Sequence, residues 1–328
     1  MAIGFPGRQE KHVKPTMLRD DALLLLTSAI WGFAFVAQRV GMRYLEPFTF
    51  NGIRFALGSL SLLPLILLNR KRRRHAAAAS PARRPGAEPP RAPEARRVLV
   101  FGAMAGALLF GGASLQQMGI VHTTAGKAGF ITGLYVVLVP LSGLLWRQRA
   151  GAGRWVGALL AVAGLYLLSV TGSFAIGRGD LLVLMGAVFW AAHVQLLGWL
   201  SPQVDPLELS AAQFAVCSFL SLLAAVLVEP IDFGAVLQAA APILYGGVAS
   251  VGVAYTLQVV VQKTAHPAHA AILLSLESVF AVLGGWVLLG ETLSVRGLLG
   301  CGLMLAGMLV SQSSALGNPA LRQPERGR

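Results

Sequence analysis

Glu277 is the residue on which chemistry could turn. It stands about nine residues into an apolar run that begins near Ala268, about 14 Å from the end of a helix rising 1.5 Å per residue. If that run crosses a bilayer, an ionised side chain there costs about 2.5–3.5 kcal/mol and faces a cavity or a partner. Two readings are open. Glu277 is a proton-coupling or amine-binding group, or it is a structural carboxyl that pairs with Arg54 or Lys127 or is hydrogen-bonded within the bundle. Arg54 lies about seven residues into its own run; it could bind an anionic group, pair with Glu277, or carry its charge outward along an apolar stem. Lys127, near the end of a run that starts at Ala125, has substrate contact as one reading and the same outward extension as the stronger one.

Trp31 and Trp190 each sit about ten residues into an apolar run, whereas interfacial tryptophans belong at the ends of membrane spans. A cavity wall and simple packing both fit them. Gln38, His193 and Gln195 follow on the same runs, and polar side chains at such depth need partners, in a transport cavity or between helices. His266 and His269 are three apart, but Pro267 separates them and no third ligand is evident, so no metal site is expected. There is no HExxH, no pair of aspartates within a run and no GxxxxGK[ST] phosphate loop. The chain therefore reads as a non-enzyme without a cofactor and without ATP chemistry. Gly102-x-x-x-Gly106, Gly129-x-x-x-Gly133 and Gly153-x-x-x-Gly157 read as packing features that let helices approach closely.

The elements that must position these side chains follow from composition. Of 328 residues, 55% are hydrophobic and 12% charged, about half the charge of an ordinary soluble domain. Most of the charges crowd into residues 1–21, 69–97 and 312–328, leaving too few elsewhere to coat a water-soluble surface. Apolar runs of spanning length start near Ala22, Pro47, Val98, Ala125, Trp155, Leu181, Glu208, Ile243, Ala268 and Val295. The expectation is an all-α polytopic membrane protein with ten transmembrane helices, its first run retained as a span rather than cleaved as a signal peptide. With the N-terminus in the cytoplasm, 21 of the 27 Lys and Arg residues fall on the cytoplasmic side and 4 on the other, so both termini are expected to be cytoplasmic. The net charge of +13 forms no basic face with interleaved aromatics, and nucleic acid is not an expected partner. The Pro-, Ala- and Arg-rich stretch 69–97 reads as a disordered cytoplasmic loop. It serves as a topology determinant, with contact to anionic lipid head groups as the alternative. Cys217 and Cys301 lie in apolar runs without metal-ligand spacing.

The two halves overlay without a gap. At an offset of 159, Asp21, Trp31, Pro47, Phe55 and Ser59 meet Asp180, Trp190, Pro206, Phe214 and Ser218. Past the basic loop an offset of 143 pairs Ala128, Gly157, Ala163 and Gly164 with Ala271, Gly300, Ala306 and Gly307. Five helices per half is an odd number, so the second half enters the membrane from the opposite side. Such inverted-topology repeats suit alternating access.

The motifs carry a resemblance. WGFAFVAQ (Trp31 to Gln38), PFTFNGIRF (Pro47 to Phe55) with its second-helix Arg, TTAGKAGFITGLYVVLVPL (Thr123 to Leu141) and SLESVFAVLGGWVLLGETLS (Ser275 to Ser294), followed by GLLGCGLMLAGMLVS, resemble the ten-helix EamA branch of the drug/metabolite transporter superfamily. The resemblance spans roughly residues 20–312. One position departs: the residue after the ninth-helix acid, often Pro in the family, is Ser278. The resemblance implies a cytoplasmic segment 1–21, a first EamA-type repeat 22–171, a second repeat 180–311 and a cytoplasmic tail 312–328. It implies secondary transport of small metabolites or drugs across the cell membrane, often export, with the lipid bilayer and a small-molecule substrate as partners and protons as a candidate coupling ion. An importer of the same fold, and a membrane receptor or scaffold without flux, are the alternatives.

Overall fold

The apolar runs become helices in the computed structural model, which describes residues 15–79, 91–142, 151–170, 176–262, 270 and 273–316. In chain order these are α1 (Pro15–Gly41), α2 (Pro47–Ala79), α3 (Arg91–Ile120), α4 (Ala125–Gly133), α5 (Tyr135–Ser142), α6 (Ala152–Ser169), α7 (Arg178–Leu200) and α8 (Pro206–Val228). The short α9 (Phe233–Gln238) and α10 (Ala240–Leu244) lead into a π-helical segment (Tyr245–Ala254). Then come α11 (Tyr255–Gln262), α12 (Glu277–Leu289) and α13 (Val295–Leu316). Seven helices are long and apolar enough to cross a membrane, and three shorter apolar helices, Ala125–Val139, Glu277–Leu289 and Val295–Ser311, accompany them. No named strand occurs among the described residues; a lone antiparallel bridge joins Val170 and Ile176. This is the architecture of a multi-pass membrane protein.

Local chemistry sets the helix ends. Asp205 caps α8, its carboxylate accepting from the amides of Leu207 and Glu208, with Pro206 in the first turn. Thr124 caps α4 through the Lys127 amide. α12 stops at Gly290, whose φ of 66° lies in the left-handed region, a conformation that only glycine adopts at little cost. The Glu291 amide then bonds the Gly285 carbonyl at 3.0 Å, which turns the chain back and aims the Glu291 side chain at α4.

Two breaks interrupt the apolar runs. At Leu134 the ladder tightens, with the Leu134 amide on Ile131 O, and α5 begins afresh. Before α12, the amides of Leu276 and Ser278 reach back only three residues, to Leu273 and Ser275. The family's Pro is absent at Ser278, yet the chain turns just before it. At the offset of 143, Leu134 and Glu277 are equivalent positions.

Helix packing follows the same offsets. α2 lies along α8, where Ser59 Oγ donates to Ala211 O at 2.9 Å and Ser218 Oγ donates to Gly52 O at 2.8 Å. These are one contact with its roles exchanged, since 59 and 52 map onto 218 and 211. Phe55 and its mate Phe214 meet between them with ring centroids 6.0 Å apart. At one end Arg70 Nε donates to Glu208 Oε1 at 2.7 Å. At the other, Glu229, the mate of Arg70, accepts from Thr49 N and Oγ1, both at 2.8 Å, and from Phe48 N at 2.7 Å. α6 and α13 touch through glycines: a Cβ at Gly157 would lie 2.6 Å from Gly307 O, and one at Gly164 would lie 2.5 Å from Gly300 O. The mates of Gly157 and Gly164 are Gly300 and Gly307, so this contact too exchanges roles.

The loop expected to be disordered over 69–97 is helical at both flanks: α2 runs on to Ala79 and α3 starts at Arg91. The Arg and Ala residues there are strong helix formers, and they extend helices whose costly nucleation is already met inside the apolar run. Residues 80–90 lie outside the described residues. Helix also extends past two expected borders, α1 starting at Pro15 and α13 continuing to Leu316.

Candidate substrate site

A cavity of about 140 Å³ opens where α1, α2, α3, α4, α5, α7, the π-helical segment, α11 and α12 converge. α1 contributes Trp31, Ala34, Phe35 and Gln38; α7 contributes Trp190, His193, Val194 and Leu197. Each set is spaced i, i+3, i+4, i+7, one face of a helix, and the two sets are mates at the offset of 159. α2 adds Arg54 and Phe55, and α12 adds Glu277 from its first turn.

Arg54 and Glu277 are the charged groups of this wall, 4% and 5% exposed. Neither makes a hydrogen bond or ion pair with a described residue, and Arg54 Nε is buried with no partner. The Arg54 guanidinium lies over the rings of Phe55, 4.8 Å from the centroid, and Phe50, 5.7 Å away. A ring face attracts the charge but accepts none of the five N–H bonds a guanidinium offers. The alternative reading in which Glu277 pairs with Arg54 or Lys127 finds no such ion pair among the described residues.

The neutral polar groups are better satisfied. Gln116 is their hub. It donates to Gln38 Oε1 at 2.9 Å and accepts from Trp190 Nε1 at 2.9 Å and from Thr132 Oγ1 at 3.3 Å. Trp31 Nε1 donates to Ser250 O of the π-helical segment at 3.1 Å, and its ring meets Tyr255 edge-on at 5.1 Å. His193 Nε2 and Gln213 Oε1 are 2.7 Å apart, both buried.

Six of the residues singled out by sequence, Trp31, Gln38, Arg54, Trp190, His193 and Glu277, are brought together here. Two are not among the lining residues. Gln195 lies on α7 and donates to Ala191 O of its own helix. Lys127 Nζ pairs with Asp180 Oδ2 at 2.9 Å, and Thr123 Oγ1 donates to the other carboxylate oxygen. That pair belongs to a cluster of polar contacts at one end of the bundle, where Arg39 donates to the carbonyls of Ile120 and Val121 and Glu291 accepts from the amides of Ala125 and Gly126. Gln116, Tyr135, Tyr255 and Gln258 also line the cavity and were not expected. Their signal was a polar atom inside an apolar run, the one that marked Gln38. Lys263, His266 and His269 lie outside the described residues. Among the described residues no three His, Cys, Asp or Glu gather as metal ligands.

The EamA-like transporter family matches residues 19–170 and again 177–312. An Archaeoglobus fulgidus protein named an uncharacterized transporter is 30% identical over 94% of this chain and 91% of its own length. A second from that organism, named likewise, is 24% identical over 88% and 96%. A solved crystal structure, 21% identical, superposes with a TM-score of 0.60 over 93% of this chain and 99% of its own, a likeness of fold. With the family matched across nearly the whole chain, the protein belongs to the EamA-like transporter family of the drug/metabolite transporter superfamily.

Proposed function

We propose that the protein is a ten-helix secondary transporter that moves small organic solutes out of the cell across the cytoplasmic membrane by alternating access. Its units are two five-helix inverted repeats, 22–171 and 180–311, with both termini cytoplasmic. The observation that carries the reading is that contacts along α2·α8 and α6·α13 recur with their roles exchanged at the repeat offsets. Two packing lines that obey one two-fold relation are what a carrier with two symmetry-related access states requires. The cavity between the halves, with matching faces of α1 and α7 and unpaired Arg54 and Glu277, is the solute site. The cluster around Asp180, Lys127, Arg39 and Glu291 then closes the outer end, and Glu277 is the group for a coupling proton or a solute amine. Export rather than import follows the family resemblance.

The test is mass spectrometry of the medium around cells expressing wild type, Glu277→Gln or empty vector, at external pH of about 6 and about 8. A metabolite accumulating outside with wild type and not with empty vector supports export, and its loss in the variant assigns Glu277 to function. Folded, membrane-inserted wild type that matches empty vector for every metabolite counts against export. Equal flux in the variant makes Glu277 structural.

A further inference from the structure

We infer that Arg54 is the receptor for a carboxylate group on the solute, so that the cavity takes small monocarboxylates. The inference rests on the transport reading above and deepens it. It starts from the point where the two halves part company. In the second half, Gln213 of α8 and His193 of α7 satisfy each other at 2.7 Å. Their mates at the offset of 159 are Arg54 and Ala34. Ala34 carries no acceptor, and both residues line the cavity. One half therefore closes its polar contact internally, and the other presents an open cation.

A guanidinium stays charged in a protein and offers its donors in a planar fork. Here it is 4% exposed, with Nε lacking any hydrogen-bond partner and the rings of Phe50 and Phe55 packed against it. Leaving such donors dry is costly, and a carboxylate meets them with two parallel bonds. Arg54 is the one Lys or Arg among the described lining residues, so it balances a monocarboxylate and leaves the second charge of a dianion such as a phosphate ester uncompensated. Glu277 on the same wall offers carboxyl oxygens to an ammonium group elsewhere on the solute.

Binding is measured on the purified full chain in lipid nanodiscs, by titration calorimetry. The probes are benzoate, 3-phenylpropionate, hexanoate and phenylalanine, each beside its own primary amide, which keeps the shape and removes the charge. The expected result is that at least one acid binds about tenfold or more tightly than its amide, and that this preference vanishes in A34H/R54Q. That double substitution installs the His–Gln pair that the second half already accommodates. R54K serves as a second variant; it keeps the charge without the fork and retains part of the preference. The inference is overturned if no acid outcompetes its amide, or if A34H/R54Q keeps the preference. Counterflow of the same probes in proteoliposomes separates the two readings. Acid preference without flux sinks the transport reading and leaves Arg54 as a receptor, whereas flux without acid preference sinks only the role of Arg54.

Discussion

The glycine contact between α6 and α13 yields a quantitative prediction. A Cβ placed on Gly157 falls 2.6 Å from Gly307 O and 2.9 Å from Ser311 N; on Gly300 it falls 2.7 Å from Gly164 O and 2.9 Å from Leu168 N. These neighbours are backbone atoms and cannot rotate away, so the helices must part by several tenths of an ångström. Overpacking of this kind costs about 1–3 kcal/mol. Each of Gly157→Ala, Gly164→Ala, Gly300→Ala and Gly307→Ala should therefore destabilise the fold by that amount, even though alanine is the better helix former by about 1 kcal/mol. The two contacts are seven residues apart, about 10 Å along a helix, a distance at which effects usually add. G157A/G307A acts twice on one contact, so its cost should fall short of the sum, whereas G157A/G300A should come closer to additivity. Reversible unfolding in mixed detergent micelles measures each value. Four neutral single variants, or a same-contact pair no less additive than the cross-contact pair, would refute the close-packing argument.

The end cluster and the α2·α8 line give further expectations. Asp180→Asn strands the Lys127 ammonium, itself a quarter exposed, and should lower stability by about 1–3 kcal/mol; K127M/D180N should recover part of that in the same unfolding assay. Glu291→Gln weakens a charge-assisted cap on the α4 amides and should cost about 1–2 kcal/mol, read as a lowered melting temperature by fluorescence-detected gel filtration. Ser59→Ala and Ser218→Ala remove mate hydrogen bonds, so their losses, about 1 kcal/mol each, should agree with one another; a large disparity would count against an equivalent environment. Gly290→Ala forces a side chain into a left-handed turn and should destabilise by about 1 kcal/mol, measured in the same way.

Much of the cavity wall was legible because polar or aromatic side chains deep in an apolar run must face something other than lipid. That argument finds Glu277, Arg54, Gln38 and His193 without any structure. It says nothing of direction around the helix, which is why Gln195, two residues from His193, does not line the cavity. Lys127 escapes it for another reason: its partner Asp180 lies 53 residues away and opens a helix of the other half. Tyr135 and Tyr255 carry the same signal in a weaker form, because the hydroxyl is a small polar tip on a ring that also suits simple packing. The breaks at Leu134 and before Glu277 and the wide turns of 245–254 have no proline to announce them.

The π-helical stretch Tyr245–Ala254 has a consequence for how this chain can vary. A widened turn holds one residue more than an ordinary one, so it acts as an insertion absorbed without a loop, and such seams gather at functional positions. Deleting a single residue within the stretch would let it relax to an ordinary helix with Tyr255 and Gln258 still on the wall they share with Trp31. The same deletion within α11, between Tyr255 and Gln258, has no widened turn to absorb it and would swing Gln258 by about 100° around the axis. The aromatic side of the cavity thus has a slack point in its own helix, where chain length can change by one and the facing residues keep their places.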